Sequence, residues 1–101
     1  MRQLRQGDVL LVRVASIPEE ARRVEPHGGR IVLATGEATG HAHEIMAAGA
    51  VLLETSPEER FLRVLADGGV ELTHEQHAAI LVPAGDYRVV RQREFGRPVI
   101  D

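Results

Sequence analysis

The stretch AVLLETSPEERFLRVLA, residues 50–66, decides the fold class. It holds two short runs rich in branched apolar residues, 50–54 and 60–66, and such runs favour β-strands. Between them Ser56 stands three residues before Glu59, which is the capping-box spacing. Pro57 fits a first helical position, because the N–H that it lacks has no partner there. The stretch therefore predicts two strands joined through one or two turns of helix.

Similar apolar runs recur along the chain, separated by glycine-rich and proline-rich turn signals. They lie at residues 7–14, 29–35, 70–73, 78–82 and 86–95. A second capping-box spacing, Ser16 to Glu19, predicts another short helical turn. Short strands at regular spacing are typical of all-β domains. We expect residues 1–101 to form a single domain, a small antiparallel β-barrel or sandwich with one or two short helical turns.

The same runs predict the apolar core of this domain. Its expected members are Val9, Leu11, Ile31, Leu33, Leu53, Phe61, Val64, Ile80, Val82 and Val89.

The composition limits the class of protein. The chain has 101 residues, which suits one domain, a net charge of −3, and arginine as its only basic residue besides histidine. Cysteine is absent, which excludes disulfides and thiolate zinc ligands. No charged and apolar leader opens the chain, and no apolar run approaches the roughly 18 residues of a membrane span. We therefore expect a cytoplasmic protein without a membrane partner.

Four of the five histidines lie in two short segments. In ATGHAHEI, residues 38–45, an extended chain would point His41 and His43 to one face. In LTHEQHAAI, residues 72–80, a capping-box spacing opens a helical turn that would place His74 and His77 on one face. We expect strand pairing to bring the two pairs together in space.

This cluster predicts a metal site. The expected ligands are His41, His43, His74 and His77, with Glu44 as a further ligand, an orienting neighbour or a general base. Imidazole suits zinc or another borderline divalent ion. Such a site fits a metal-binding domain or a metal-assisted hydrolase, in which the same five residues would be catalytic. The zinc-protease motif HExxH is excluded, because HEQH has one residue too few between its histidines.

Two other functions stay open at this point. Imidazole exchanges protons near neutral pH, so the cluster would also suit a metal-independent ribonuclease or phosphodiesterase. A domain this small would equally suit a non-catalytic interaction module that serves a larger protein partner or a homo-oligomer.

The segment DYRVVRQREFGR, residues 86–97, carries candidate phosphate-binding residues. In an extended strand Tyr87, Arg91 and Arg93 share one face, and Arg88 lies on the other. We expect these four residues to bind a phosphate-containing small molecule or RNA. The alternative is an edge strand whose charges prevent edge pairing. The net charge of −3 opposes broad nucleic-acid binding.

The segments GDVLL, GEATGHAH, LTHEQHAAI and GDYRVVRQREF together resemble a small, functionally uncharacterised family of bacterial and phage proteins. In that family GDVLL, TGHAH, a HEEHAPI-like segment and a QREY-like end recur in this order. The resemblance covers most of the chain and implies no established activity.

The HAH pair, flanked by Gly36 and Gly49, and the later PAGDYR are similar to the metal-binding segments of cupins, which are small β-barrels. This resemblance implies a β-barrel with a histidine pocket. The chain departs from the cupin pattern at Glu44, which directly follows the pair. It departs again at Arg88, which stands where cupins have their last histidine. His74 or His77 would have to replace that ligand.

Overall fold

The computed structural model describes residues 3–36, 39–94 and 97–98, and the side chains of residues 3–36 and 39–92. Two antiparallel sheets account for most of its regular structure, with a short antiparallel pair, β11 (Arg93–Glu94) and β12 (Arg97–Pro98), near the end of the chain. The first sheet runs in the spatial order β1 (Gln3–Gln6), β2 (Val9–Arg13), β10 (Gly85–Arg91), β7 (Glu59–Val64), β6 (Ala50–Ser56) and β3 (Arg22–Val24). The second runs in the order β4 (Arg30–Thr35), β5 (Ala42–Met46), β8 (Val70–Thr73) and β9 (Ile80–Val82).

The two sheets pack as a sandwich and do not close into a barrel, which confirms the predicted all-β class. Their inner faces share one apolar cluster because alternate residues of each strand point inward. Its buried members are Val9, Leu11, Ile31, Leu33, Ile45, Ala50, Leu52, Leu62, Val64, Val70, Leu72, Val82 and Tyr87.

Most of the expected core residues belong to this cluster or pack against it, but Leu53 does not. Leu52 takes the inward position instead and is 3% exposed, while Leu53 is only partly buried. Phe61 is buried, yet it lies outside the cluster. It pairs with Leu53, and both side chains are on the outer face of the sheet. A regular strand cannot send both Phe61 and Val64 inward, since they are three residues apart.

The helical turn predicted at Ser56 is wrong. Residues 56–59 form the tight end of the β6–β7 hairpin, with Ser56 paired to Glu59. The Ser56 Oγ does accept the Glu59 N–H, at 3.1 Å, as a helix cap would. The apolar strands on both sides gain more by pairing than a single helical turn offers, because a helical nucleus without propagation is unfavourable.

The helical turn predicted at Ser16 is also wrong. Pro18 follows Ile17, and a residue before proline avoids the helical region. Ile17 is buried in an irregular segment, and the Ala21 N–H donates to the Pro18 carbonyl at 3.0 Å in a turn. Within the part of the chain that the structure describes, there is no helix long and apolar enough to cross a membrane.

Arg60 links the two sheets at the edge strand β4. Its guanidinium donates to the carbonyls of Leu33 and Val32, each at 2.9 Å. The register of β4 shifts between Val32 and Ala34, so this bulge leaves carbonyls available at the edge. Burial lowers the pKa of Arg60, while the neighbouring Glu54 carboxylate opposes that change.

Candidate functional site

Strand pairing brings the two histidine segments together. β5 begins at Ala42 and pairs with β8, with Glu44 opposite Thr73. One step further along this ladder, His43 of β5 stands beside His74, the first residue after β8. Their ring centroids are 4.3 Å apart.

All four clustered histidines contribute rings to one group. His74 lies at its centre, 5.6 Å from His41 and 4.5 Å from His77 between ring centroids. The rings of His43 and His77 are stacked at 6.0 Å. The prediction that the two segments meet is therefore correct in the structure, although no helical turn is involved.

A bend, not a helix, carries His74 and His77. Thr73 does not cap the segment as its spacing predicts, since its Oγ1 donates to the Glu44 carbonyl at 3.3 Å. The Nδ1 of His74 instead accepts the N–H of Gln76 at 3.0 Å. This local bond accompanies the bend at the start of residues 74–79, the β8–β9 loop.

His43 forms the inner part of the site and is completely buried. Its Nδ1 lies 2.9 Å from the Gln6 Oε1, and its Nε2 lies 3.3 Å from the Asp8 Oδ1. The Arg91 Nε donates to the other Asp8 oxygen at 2.6 Å. Both ring nitrogens of His43 thus face oxygen atoms of neighbouring side chains, so in this arrangement neither nitrogen is directed toward an ion.

Asp8 comes from an unexpected place, the two-residue turn between β1 and β2. Gln6 pairs with Val9, and Gly7 between them adopts φ +58°, a conformation that glycine allows. Asp8 is buried in this turn, and its carbonyl accepts the Gln92 N–H at 2.8 Å. Sequence reasoning missed Gln6 and Asp8; the acidic residue directly before a strongly apolar strand was the available signal.

The outer part of the site consists of His41, His74 and Glu75. Each offers one ligand atom, and these three atoms lie within 4.8 Å of one another. His41 is half-buried, and its Nδ1 is buried without a hydrogen-bond partner among the described residues. Two imidazoles and one carboxylate are a donor set that zinc and similar divalent ions accept.

Glu75 is held at this site by the backbone of the neighbouring strand. Its Oε1 accepts the Ala42 N–H at 3.0 Å. This bond, with a bond from its own N–H, holds the pKa of the Glu75 carboxyl below its ordinary value, and the nearby His41 and His74 act in the same direction. Glu75 thus presents an ionised carboxylate beside two imidazoles, although sequence reasoning had selected Glu44.

Glu44 lies on the other face of β5, because it alternates with His43. It pairs with Arg30, Oε1 to Nη1, at 3.1 Å. Both line a groove on the outer side of the second sheet that leads to the rim of the histidine group. The groove is lined by Arg30, Ala42, Glu44, Thr73, His74 and Glu75.

The three expected phosphate-binding residues whose side chains the structure describes do not form one surface. Tyr87 is buried in the core, and its hydroxyl donates to the Pro83 carbonyl at 2.7 Å. Arg88 is exposed on the outer face of the first sheet, where it pairs with Phe61. Arg91 alone reaches the histidine group, through Asp8. The side chain of Arg93 lies outside the described residues.

Residues 5–92 match the family described as a domain of unknown function, DUF8820, and the chain therefore belongs to that family. Membership of an uncharacterised family agrees with the expectation from the sequence, while the recurring motifs and the bacterial and phage distribution of that family stay predictions. No curated protein and no solved structure matches the chain.

Proposed function

We propose that this DUF8820 domain binds one divalent metal ion through His41, His74 and Glu75. The observation that carries the proposal is the convergence of three ligand atoms within 4.8 Å, one from each residue. The chemistry of the set favours zinc or another borderline ion. His43 supports the site from behind, since Gln6 and Asp8 face its two nitrogens.

The finer proposal is a metal-assisted hydrolase. Three protein ligands leave a fourth position for water in a tetrahedral zinc site, and the ion would lower the pKa of that water. The groove that runs from Arg30 to Glu75 gives a substrate access to this position. Three further points stay predictions from the sequence: the binding of a phosphate-containing small molecule or RNA, the cytoplasmic location, and a larger protein partner or homo-oligomer.

Ion binding through His74 must break the hydrogen bond between the Gln76 N–H and the Nδ1 of His74. Because Nδ1 accepts the Gln76 N–H, the neutral ring carries its proton on Nε2. Coordination through Nε2 requires that proton to move to Nδ1, so the Gln76 N–H must turn away. We expect the backbone amide signal of Gln76 to shift on ion binding.

The test is a calorimetric titration of untagged protein with Zn²⁺. Wild type should bind one ion, and His41→Ala, His74→Ala and Glu75→Gln should each weaken binding by more than about 100-fold, beyond the effect of losing a residue that only orients a ligand. His27→Ala is the matched control, because His27 is exposed and lies outside the cluster. Equal affinity of wild type, His41→Ala and His74→Ala would overturn the proposal.

Metal-independent acid–base chemistry is the second candidate, and the Nδ1 of His41 favours it, because it is buried without a hydrogen-bond partner among the described residues. His41 would accept a proton at this nitrogen, and His74, whose ring centroid lies 5.6 Å away, would donate one in its protonated form. Arg30 in the adjoining groove would hold a phosphate. If no ion binds, His41→Ala and His74→Ala should abolish cleavage of RNA or cyclic phosphodiesters in folded protein. Inactivity of wild type on all of them would leave the interaction module.

A further inference from the structure

We propose that Gln6 is the positioning residue of the histidine site and aligns it from the opposite sheet. The inference rests on the proposed function, and it concerns a residue outside the proposed set of ligands. Gln6 belongs to β1 in the first sheet, whereas all four clustered histidines belong to the second sheet or its loops. Its side chain is buried, at 3% exposure.

One amide group makes three contacts with the site. The Nε2 donates to the carbonyls of Leu72 and Ala78, both at 2.9 Å. These carbonyls flank the segment that carries His74, Glu75 and His77. Gln6 therefore holds both ends of the loop that contributes two of the three proposed ligands.

The same donations fix the orientation of the amide. With both hydrogens of Nε2 directed to carbonyls, the Oε1 is the atom that faces the Nδ1 of His43, at 2.9 Å. An amide oxygen only accepts, so Nδ1 of His43 must carry a proton. Gln6 thus selects the protonated Nδ1 form of His43, and this ring packs on His74.

Neither methionine nor glutamate reproduces all of these roles. Methionine at position 6 would keep the length and apolar packing but would remove both donors and the acceptor. Glutamate would keep an oxygen for His43 but would direct oxygen toward the two carbonyls. The two variants therefore separate the selection of the His43 ring form from the alignment of the loop.

The experiment compares Gln6→Met and Gln6→Glu with Gln3→Met, a control in the same strand whose side chain is exposed. Three quantities are measured: the imidazole ¹⁵N spectrum, amide hydrogen exchange, and the Kd for Zn²⁺. In wild type the His43 Nδ1 should carry a slowly exchanging proton. Gln6→Met should lose that signal, and Gln6→Glu should keep it.

Both Gln6 variants should accelerate exchange in residues 74–79 at least tenfold while β7 stays protected, and both should raise the Kd by about 10- to 100-fold. Gln3→Met should leave all three quantities unchanged. The inference is overturned if loop exchange and Kd stay within about twofold of wild type in folded Gln6→Met. Absence of an Nδ1 proton on wild-type His43 overturns it as well, and this result requires no variant to fold.

The two proposals fail in different ways. If wild type binds no ion but Gln6→Met still loosens the loop, the metal proposal fails and the positioning role stands. If wild type binds the ion and Gln6→Met keeps both the Kd and the loop exchange of wild type, the metal proposal stands and the role of Gln6 fails.

Discussion

Asp8 is a carboxylate with no access to solvent, since its side chain is 0% exposed. A buried charge is strongly unfavourable unless it is paired and hydrogen-bonded. Arg91 donates to one oxygen at 2.6 Å, and the Nε2 of His43 lies 3.3 Å from the other. Asp8 therefore connects a cation of the first sheet to the inner histidine of the second.

Replacing Asp8 with asparagine should lower the free energy of unfolding by about 3 kcal/mol, because the Arg91 charge loses its partner in a buried site. Asp67→Asn is the control, since Asp67 is exposed in a turn, and surface changes usually stay within about 0.5 kcal/mol. Urea denaturation measures both variants. A loss below about 1 kcal/mol in Asp8→Asn would show that this buried pair is not a structural requirement.

Tyr87 gives a pH test, because it is the only tyrosine in the chain. Burial raises the pKa of its phenol, with Arg13 opposing that shift. The folded pKa is above the unfolded value of about 10, so the stability from the neutral phenol is complete below that pH. It is lost as the pH rises through the folded pKa. Ultraviolet absorbance should show ionisation of Tyr87 at a higher pH in folded than in urea-unfolded protein; coinciding curves would contradict this.

Glu44 and Glu75 each directly follow a histidine, and they differ in how far their positions can be predicted from the sequence. Strand alternation alone would have turned Glu44 away from His43, and the structure places it with Arg30. Glu75 follows His74 in a loop, where no alternation applies, and its position depends on the Ala42 N–H of another strand. The sequence does not contain that pairing in any local form.

At the scale of the elements, periodicity located strands well and turns poorly. The run at residues 70–73 has the bounds of β8, and those at 50–54 and 60–66 lie within one residue or two of β6 and β7. β1 and β3 were missed because their short polar sequences, QLRQ and RRV, carry no apolar run. Capping-box spacing failed at Ser56 because the same side-chain bond to the backbone also fits a hairpin.

Arg60 tests the link between the sheets. Arg60→Met removes two hydrogen bonds to the carbonyls of β4 and should lower the free energy of unfolding by about 2 kcal/mol. Amide exchange in β4 should also accelerate. Arg63→Met is the matched control in the same strand: its pair with Asp86 is partly exposed, so about 1 kcal/mol or less is expected. Equal effects of the two variants would mean that Arg60 does not hold the edge.

At the scale of the whole molecule, the candidate site lies where the two sheets meet. The first sheet supplies Gln6, Asp8 and Arg91, and the second sheet with its loops supplies the histidines and Glu75. The clustering of histidines was visible in the sequence. The partners from the first sheet were not, because contacts between residues 6 and 78 or 8 and 91 depend on which strands are neighbours.

The candidate site has an inner and an outer part, and this division supports the proposed metal binding. The inner residues are buried and hydrogen-bonded to one another, so they hold the geometry. The outer residues His41 and Glu75 reach the surface and present donor atoms with His74. Rigid support behind an accessible set of ligands is the arrangement that a metal site requires.

Elemental analysis of untagged protein, purified without chelator, tests the proposed metal site most directly. We predict close to one divalent ion per chain in wild type and in His27→Ala, and none in His41→Ala or His74→Ala. Wild-type protein that carries no ion, and gains none when dialysed against zinc, manganese, iron or nickel, would contradict the proposed metal site.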